Sequence, residues 1–120
     1  RMPWLVRWMV FQAYNHFRIS TRLHAQHRLI LKKGGVVIDQ EAATELFVTA
    51  FGNSYPVSSP QAQAAVVAHR AAISKWFYEC SIEMQKNLAL MYVQDPRFKK
   101  YYDGRVNGLA QYVHDAIMAQ

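Results

Sequence analysis

Cysteine is nearly absent from this 120-residue chain: there is one, Cys80. A lone thiol excludes an internal disulfide and any multi-thiolate metal centre, and it suits a reducing cytoplasm. Charge is sparse, with only 18% of residues charged against 52% hydrophobic, which argues against intrinsic disorder. Acidic residues are missing from the first 38 positions, where Arg1, Arg7, Arg18, Arg22, Arg28, Lys32 and Lys33 stand alone. No apolar run approaches membrane-span length; Trp8-Met9-Val10-Phe11 lies between Arg7 and Gln12. No small-residue cleavage site follows the N-terminal basic residues, so no signal peptide is expected. Also missing are a GxSxG elbow, a phosphate-cradling glycine loop, an HExxH pair and a Cys/His cluster. A non-enzymatic protein without cofactor or metal is therefore expected.

What is present is enough apolar material for one core in one domain of ordinary size. Helical signals dominate. Residues 3–19 begin with Pro3, tolerated in a first helical turn, and Trp4, Leu5, Trp8, Met9, Phe11 and Phe17 surround much of the resulting helix. A second helix is predicted over 22–33, capped by Thr21 and stopped by Gly34-Gly35. Val36-Val37-Ile38 reads as a short extended piece, and Asp39 as the cap of a helix over 40–51 with a buried stripe of Leu46, Phe47, Ala50 and Phe51. The run from Gly52 to Pro56 has turn chemistry, and Ser59-Pro60 opens a further helix. Its periodicity continues to about Tyr92, with a break near Tyr78 to Ser81. Asp95-Pro96 starts a short turn or helix containing Phe98, and Gly104 marks another break. Leu109, Tyr112, Val113, Ala116 and Ile117 define a final amphipathic helix. Several helices with short connections make an all-α, globin-like arrangement the expected fold class.

Ile73, Phe77, Cys80, Met84, Asn87 and Met91 recur at steps of three and four and would share a face of one continuous helix. Soft and aromatic side chains suit a pocket for large ligands, but periodicity alone fits an ordinary core stripe better. Cys80 reads as structural, because Glu79 and Glu83 oppose a thiolate. Glu79 and Glu83 fit helical ion pairs with Lys75 and Lys86 rather than a catalytic carboxylate pair. A globin-like fold raises haem, with His69 as the conceivable axial ligand, yet a lone helical histidine is usually just hydrogen-bonded. The basic first third reads as a solvated face, since no nucleic-acid motif accompanies it.

Ala68-His69-Arg70, Tyr78-Glu79-Cys80, Glu83-Met84, Met91-Tyr92-Val93, Asp95, Arg97-Phe98, Gly108-Leu109-Ala110, Tyr112 and Asp115-Ala116-Ile117 together resemble the TipA-type antibiotic-recognition domain. Arg7-Trp8, Ala13-Tyr14, Thr21 and Phe47-Val48 extend a thinner likeness upstream. The resemblance makes 1–120 a single antibiotic-binding domain, with 47–120 its strongest part and 1–46 divergent. It implies a globin-like helical domain without haem, found as the effector half of MerR-type transcription regulators or alone as a drug-sequestering protein. Its ligands are bulky antibiotics such as thiopeptides, held between helices, and its N-terminal portion is mobile until ligand binds. Carried onto matching positions, it assigns Tyr78, Cys80, Met84, Met91, Tyr92 and Phe98 to the ligand cleft. Trp76, Phe77 and Asn87 join them as departures, standing where the family prototype has Asn-His and a second cysteine. Without that second thiol, reversible binding is expected. The competing expectations are an effector half whose DNA-binding domain lies outside this chain, and a basic nucleic-acid-binding module using the first third.

Overall fold

The structure, a computed structural model, describes residues 35–120; the helices expected over 3–19 and 22–33 lie outside them. Five α-helices and no strand occur among the described residues: α1 Gly35–Gly52, α2 Pro60–Trp76, α3 Ile82–Gln94, α4 Pro96–Asp103 and α5 Leu109–Met118. None is long and apolar enough to cross a membrane.

Local chemistry sets most of the boundaries. Ser59 Oγ accepts from the Ala62 amide at 3.2 Å and Pro60 fills the first helical position of α2. Ser81 Oγ caps α3 in the same way through the Met84 amide, and Asp95 caps α4 through the Arg97 amide. The expected break near Tyr78 to Ser81 separates α2 from α3. It also dissolves the continuous stripe from Ile73 to Met91 and the pairing of Lys75 with Glu79. The exception to local control is the start of α1. Val36-Val37-Ile38 is helical rather than extended, and Asp39 sits inside the helix. The Asp39 carboxylate caps nothing; it accepts from Trp76 Nε1 at 2.6 Å and pairs with Lys75 Nζ at 3.2 Å. Tertiary contacts from α2 thus override the weak helix propensity of the β-branched run.

Helices α1 and α2 form a closely packed hairpin. Ala43 and Ala50 on one side and Ala62, Ala65 and Ala72 on the other are buried, and such small side chains let the two backbones approach. The other three helices make a second layer in which α5 packs on α3 and α4. Helix α5 also touches both members of the hairpin, whereas α3 and α4 meet the hairpin through few backbone approaches. Large side chains fill the resulting seam: Phe47, Phe77, Tyr92, Phe98 and Tyr102 are all buried in the core. The stripe expected on α1 holds for Phe47 and Ala50, but Leu46 is 45% exposed, because the buried face runs through Gln40, Ala43, Thr44, Phe47 and Ala50 and Leu46 lies off it. On α5, Leu109, Tyr112, Val113, Ala116 and Ile117 are buried, in keeping with their spacing.

The entry to α5 depends on Gly108, whose φ of +89° is a left-handed conformation. A Cβ there would also meet the Phe51 ring at 3.4 Å. Gly108→Ala is expected to cost about 1–2 kcal/mol. Thermal denaturation should read this as a Tm lowered by roughly 5–10 °C. An unchanged Tm would show that the α4–α5 turn relaxes freely.

Candidate functional site

Eight of the nine residues expected at a ligand cleft belong to the core or pack against it. Phe77, Cys80, Tyr92 and Phe98 belong to the buried core, and Trp76, Tyr78, Met84 and Met91 are partly buried against it. Asn87 is exposed on α3 and stands apart from them. The grouping arises from the turn after α2, which folds Phe77 and Cys80 inward and starts α3 in a new direction. Half-buried aromatic and methionine side chains over a packed floor can bury further apolar area without refolding what lies beneath.

Two polar clusters bridge the seam. At its rim, Trp76 donates to Asp39, and Tyr101 Oη donates to Glu41 Oε1 at 3.0 Å. Arg105 pairs with Glu41 and, at 3.3 Å, with Glu45. The Trp76 indole and, beyond it, the Lys75 ammonium hold the Asp39 carboxyl below the usual range despite its partial burial. Deeper lies His69, 1% exposed. Gln85 Nε2 lies 2.8 Å from His69 Nδ1 and donates to the Val66 carbonyl at 2.9 Å; Gln85 Oε1 accepts from Arg70 Nη1 and from Gln120 Nε2. Gln85 therefore fixes the neutral tautomer of His69 with its proton on Nε2, which donates to Tyr92 Oη at 2.9 Å. Both ring nitrogens are committed inside the core, so His69 is a structural histidine and not an axial ligand. No cluster of three metal-ligating side chains occurs among the described residues.

Cys80 is structural in the same sense. Its thiol donates to the Ser81 carbonyl at 3.6 Å, its backbone N–H donates to Ser74 Oγ, and burial pushes its pKa up to about 11. A thiol so far from ionisation is a poor nucleophile near neutral pH.

A second feature, which motif reading missed, is an open groove of about 280 Å³ between α1 and α2. Asp39, Ala42, Ala43 and Leu46 line one wall and Ala68, Ala71, Ala72 and Lys75 the other. None of the nine residues expected at the cleft lines it, although Trp76 touches it indirectly by holding Asp39. Its signal in the sequence is the recurrence of alanine at helical spacing along α2, which leaves space opposite α1 wherever no larger side chain intrudes.

The chain belongs to the TipAS antibiotic-recognition domain family, whose model matches residues 36–120. Among individual proteins, it is 40% identical over 83 residues to the HTH-type transcriptional activator TipA of Streptomyces coelicolor, and equally to that of Streptomyces lividans. Those matches cover 67% of this chain and 33% of each relative, so the chain spans about a third of their length. A solved complex of nosiheptide with TipAS, described as part of a thiopeptide antibiotic multidrug resistance system from Streptomyces lividans, matches with a TM-score of 0.62 and 38% identity. That match covers 67% of this chain and 56% of the solved one.

Proposed function

We propose that this chain binds a bulky thiopeptide antibiotic reversibly at the seam between the α1–α2 hairpin and the second layer, and catalyses no reaction on it. The observation that carries the reading is that Trp76, Tyr78, Met84 and Met91 are half-buried against an aromatic-rich core, in a chain of the TipAS family. Affinity then comes from apolar area removed from water, with a few polar groups setting orientation. The nosiheptide held by the solved TipAS relative supports the ligand class. Reversible rather than covalent capture follows from the buried, weakly acidic Cys80 thiol and the lack of any second cysteine. A cytoplasmic location without cofactor fits the same picture.

The test is a titration with nosiheptide, read by tryptophan fluorescence, thermal shift and intact mass. Saturable binding is expected, with stabilisation of about 2.7 kcal/mol at a hundredfold excess over Kd, or a Tm rise on the order of 10 °C. Trp76→Ala should weaken binding, and the denatured protein should carry no adduct mass. A flat titration refutes the binding reading, and a stable mass increase refutes its reversibility.

A second reading concerns the wider protein rather than the domain. The relatives matched are HTH-type activators three times as long as the matched region, which favours a role as the ligand-sensing part of a transcription regulator. A nucleic-acid-binding role for residues 39–120 themselves lacks support, since seven basic residues face eight acidic ones there and the whole excess of positive charge lies in residues 1–38.

A further inference from the structure

Two polar groups in this interior are buried with a proton unmatched. Gln40 is 3% exposed and Tyr102 is fully buried; Gln40 Nε2 has no hydrogen-bond partner, and Tyr102 Oη has only the Tyr92 hydroxyl beside it and no acceptor for its own proton. Their neighbours are not so placed, for Gln85 and His69 use every ring and amide atom they have. Leaving a buried donor unpaired is unfavourable, so two such groups in one small domain call for a reason beyond folding.

Both groups belong to the seam. Asp39 reaches Trp76 at the end of α2, and Glu41 reaches Tyr101 on α4. Gln40 lies between Asp39 and Glu41 in sequence and is buried. Tyr102 follows Tyr101, with its ring 5.0 Å from that of Tyr101 and 5.1 Å from that of Tyr92. Tyr92 Oη already accepts the His69 proton and has its own to donate, so the polar chain running in from Gln85 ends at Tyr102 with a donor left over. Trp76 and Tyr101 are only partly buried; Trp76 donates to Asp39 and Tyr101 to Glu41, with Thr44 and Arg105 also against Tyr101.

We propose that Gln40 Nε2 and Tyr102 Oη are the donors that orient the ligand within the seam, each meeting a peptide-carbonyl oxygen of the bound antibiotic once Trp76 and Tyr101 move aside. The inference rests on the binding reading above and adds the ligand chemistry recognised. Both groups are neutral donors, and the nearby Arg105 is already committed to Glu41 and Glu45. An uncharged acceptor is therefore selected over a carboxylate, which Glu41 would repel.

The decisive experiment compares the unsubstituted chain with Tyr102→Phe and Gln40→Met in nosiheptide titrations and in thermal melts without ligand. Each variant is expected to bind about three- to tenfold more weakly, the worth of one net hydrogen bond. Free Tyr102→Phe should melt within a few degrees of the unsubstituted chain, because the hydroxyl it gives up meets only Tyr92 and leaves its own proton unmatched. Unchanged affinity in both variants overturns the inference. So does a lowered Tm for Tyr102→Phe with unchanged affinity, since the hydroxyl would then have a structural partner. If the unsubstituted chain itself shows no saturable binding, the binding reading fails and takes this inference with it.

Discussion

Gln85→Leu is expected to destabilise the domain by about 3 kcal/mol, lowering Tm on the order of 15 °C. The substitution nearly conserves volume, so little of the loss is cavity formation. It arises from unmade hydrogen bonds. Gln85 Nε2 serves Val66 O at 2.9 Å and His69 Nδ1 at 2.8 Å, while Oε1 receives Arg70 Nη1 at 3.1 Å and Gln120 Nε2 at 3.0 Å. The Gln120 amide keeps a second acceptor in the Ile117 carbonyl and Arg70 keeps Gln120 Oε1, so their share is small. His69 Nδ1 is left without a donor at a site that is only 1% exposed. Its tautomer is then no longer fixed, and the bond to Tyr92 loses its direction. The network spans Val66, His69 and Arg70 on α2, Gln85 and Tyr92 on α3, and Gln120 beyond α5. It therefore ties the hairpin to the second layer where their backbones meet least. Urea or thermal unfolding measures the effect, and a loss under about 1 kcal/mol would show that some other contact holds the layers together. The contrast with Gln40 and Tyr102 is informative: one part of the interior is fully satisfied and fixed, while another holds buried donors with protons unmatched.

How much of this was legible in the sequence varied by element. Where a cap and an amphipathic stripe coincide, as at Ser59-Pro60, Asp95-Pro96 and Leu109 to Ile117, local chemistry sets the structure and reading it suffices. The start of α1 was misread because Asp39 has cap chemistry but a tertiary use; nothing local says that Trp76, 37 residues away, will claim its carboxylate. Leu46 was misplaced for a different reason: the buried face includes Gln40 and Thr44, residues no hydrophobic pattern would put in a core, and Leu46 lies to one side of it. At the candidate site, the resemblance rather than helical spacing supplied the nine residues, and eight of them belong to one core or pack against it. Their separation into floor and rim depends on the turn between α2 and α3; Asn87 entered through the resemblance, as the residue standing where the family prototype has a second cysteine, and it lies exposed on α3. The His69–Gln85 pair was invisible, because a glutamine at position 85 has no periodic signature distinguishing it from a solvated one.

Acidification from pH 6.5 to pH 4 is expected to remove about 3 kcal/mol of stability, and His69 is the group responsible. Burial, and secondarily the Arg70 charge, lower its pKa from 6.5 to about 4. The folded state thus holds His69 neutral, while the unfolded chain binds a proton there below pH 6.5. Between the two values the unfolded state carries more protons, so stability rises with pH across that window. It is fully present above pH 6.5, is lost as pH falls toward 4, and levels off below, where both states are protonated. At 1.36 kcal/mol per unit, the interval gives the figure stated. The lowered carboxylates Asp39, Asp95 and Asp103 act in the same direction but only below their ordinary value of 3.8, outside this window. Urea unfolding at pH 7, 5.5 and 4 measures the slope, and His69→Gln supplies the control: whatever its absolute stability, it should lose the His69 share of that slope. Equal slopes in the two proteins would move the titration to another group. Geometry explains why the proton is refused. Protonated His69 would present a donor at Nδ1 to the Gln85 amide, which is itself a donor whose carbonyl end is already held by Arg70 and Gln120. Rotating that amide to accommodate the charge would break the bonds joining the two layers, so acid should open the seam at its fixed part, and weakened ligand binding should accompany the loss of stability.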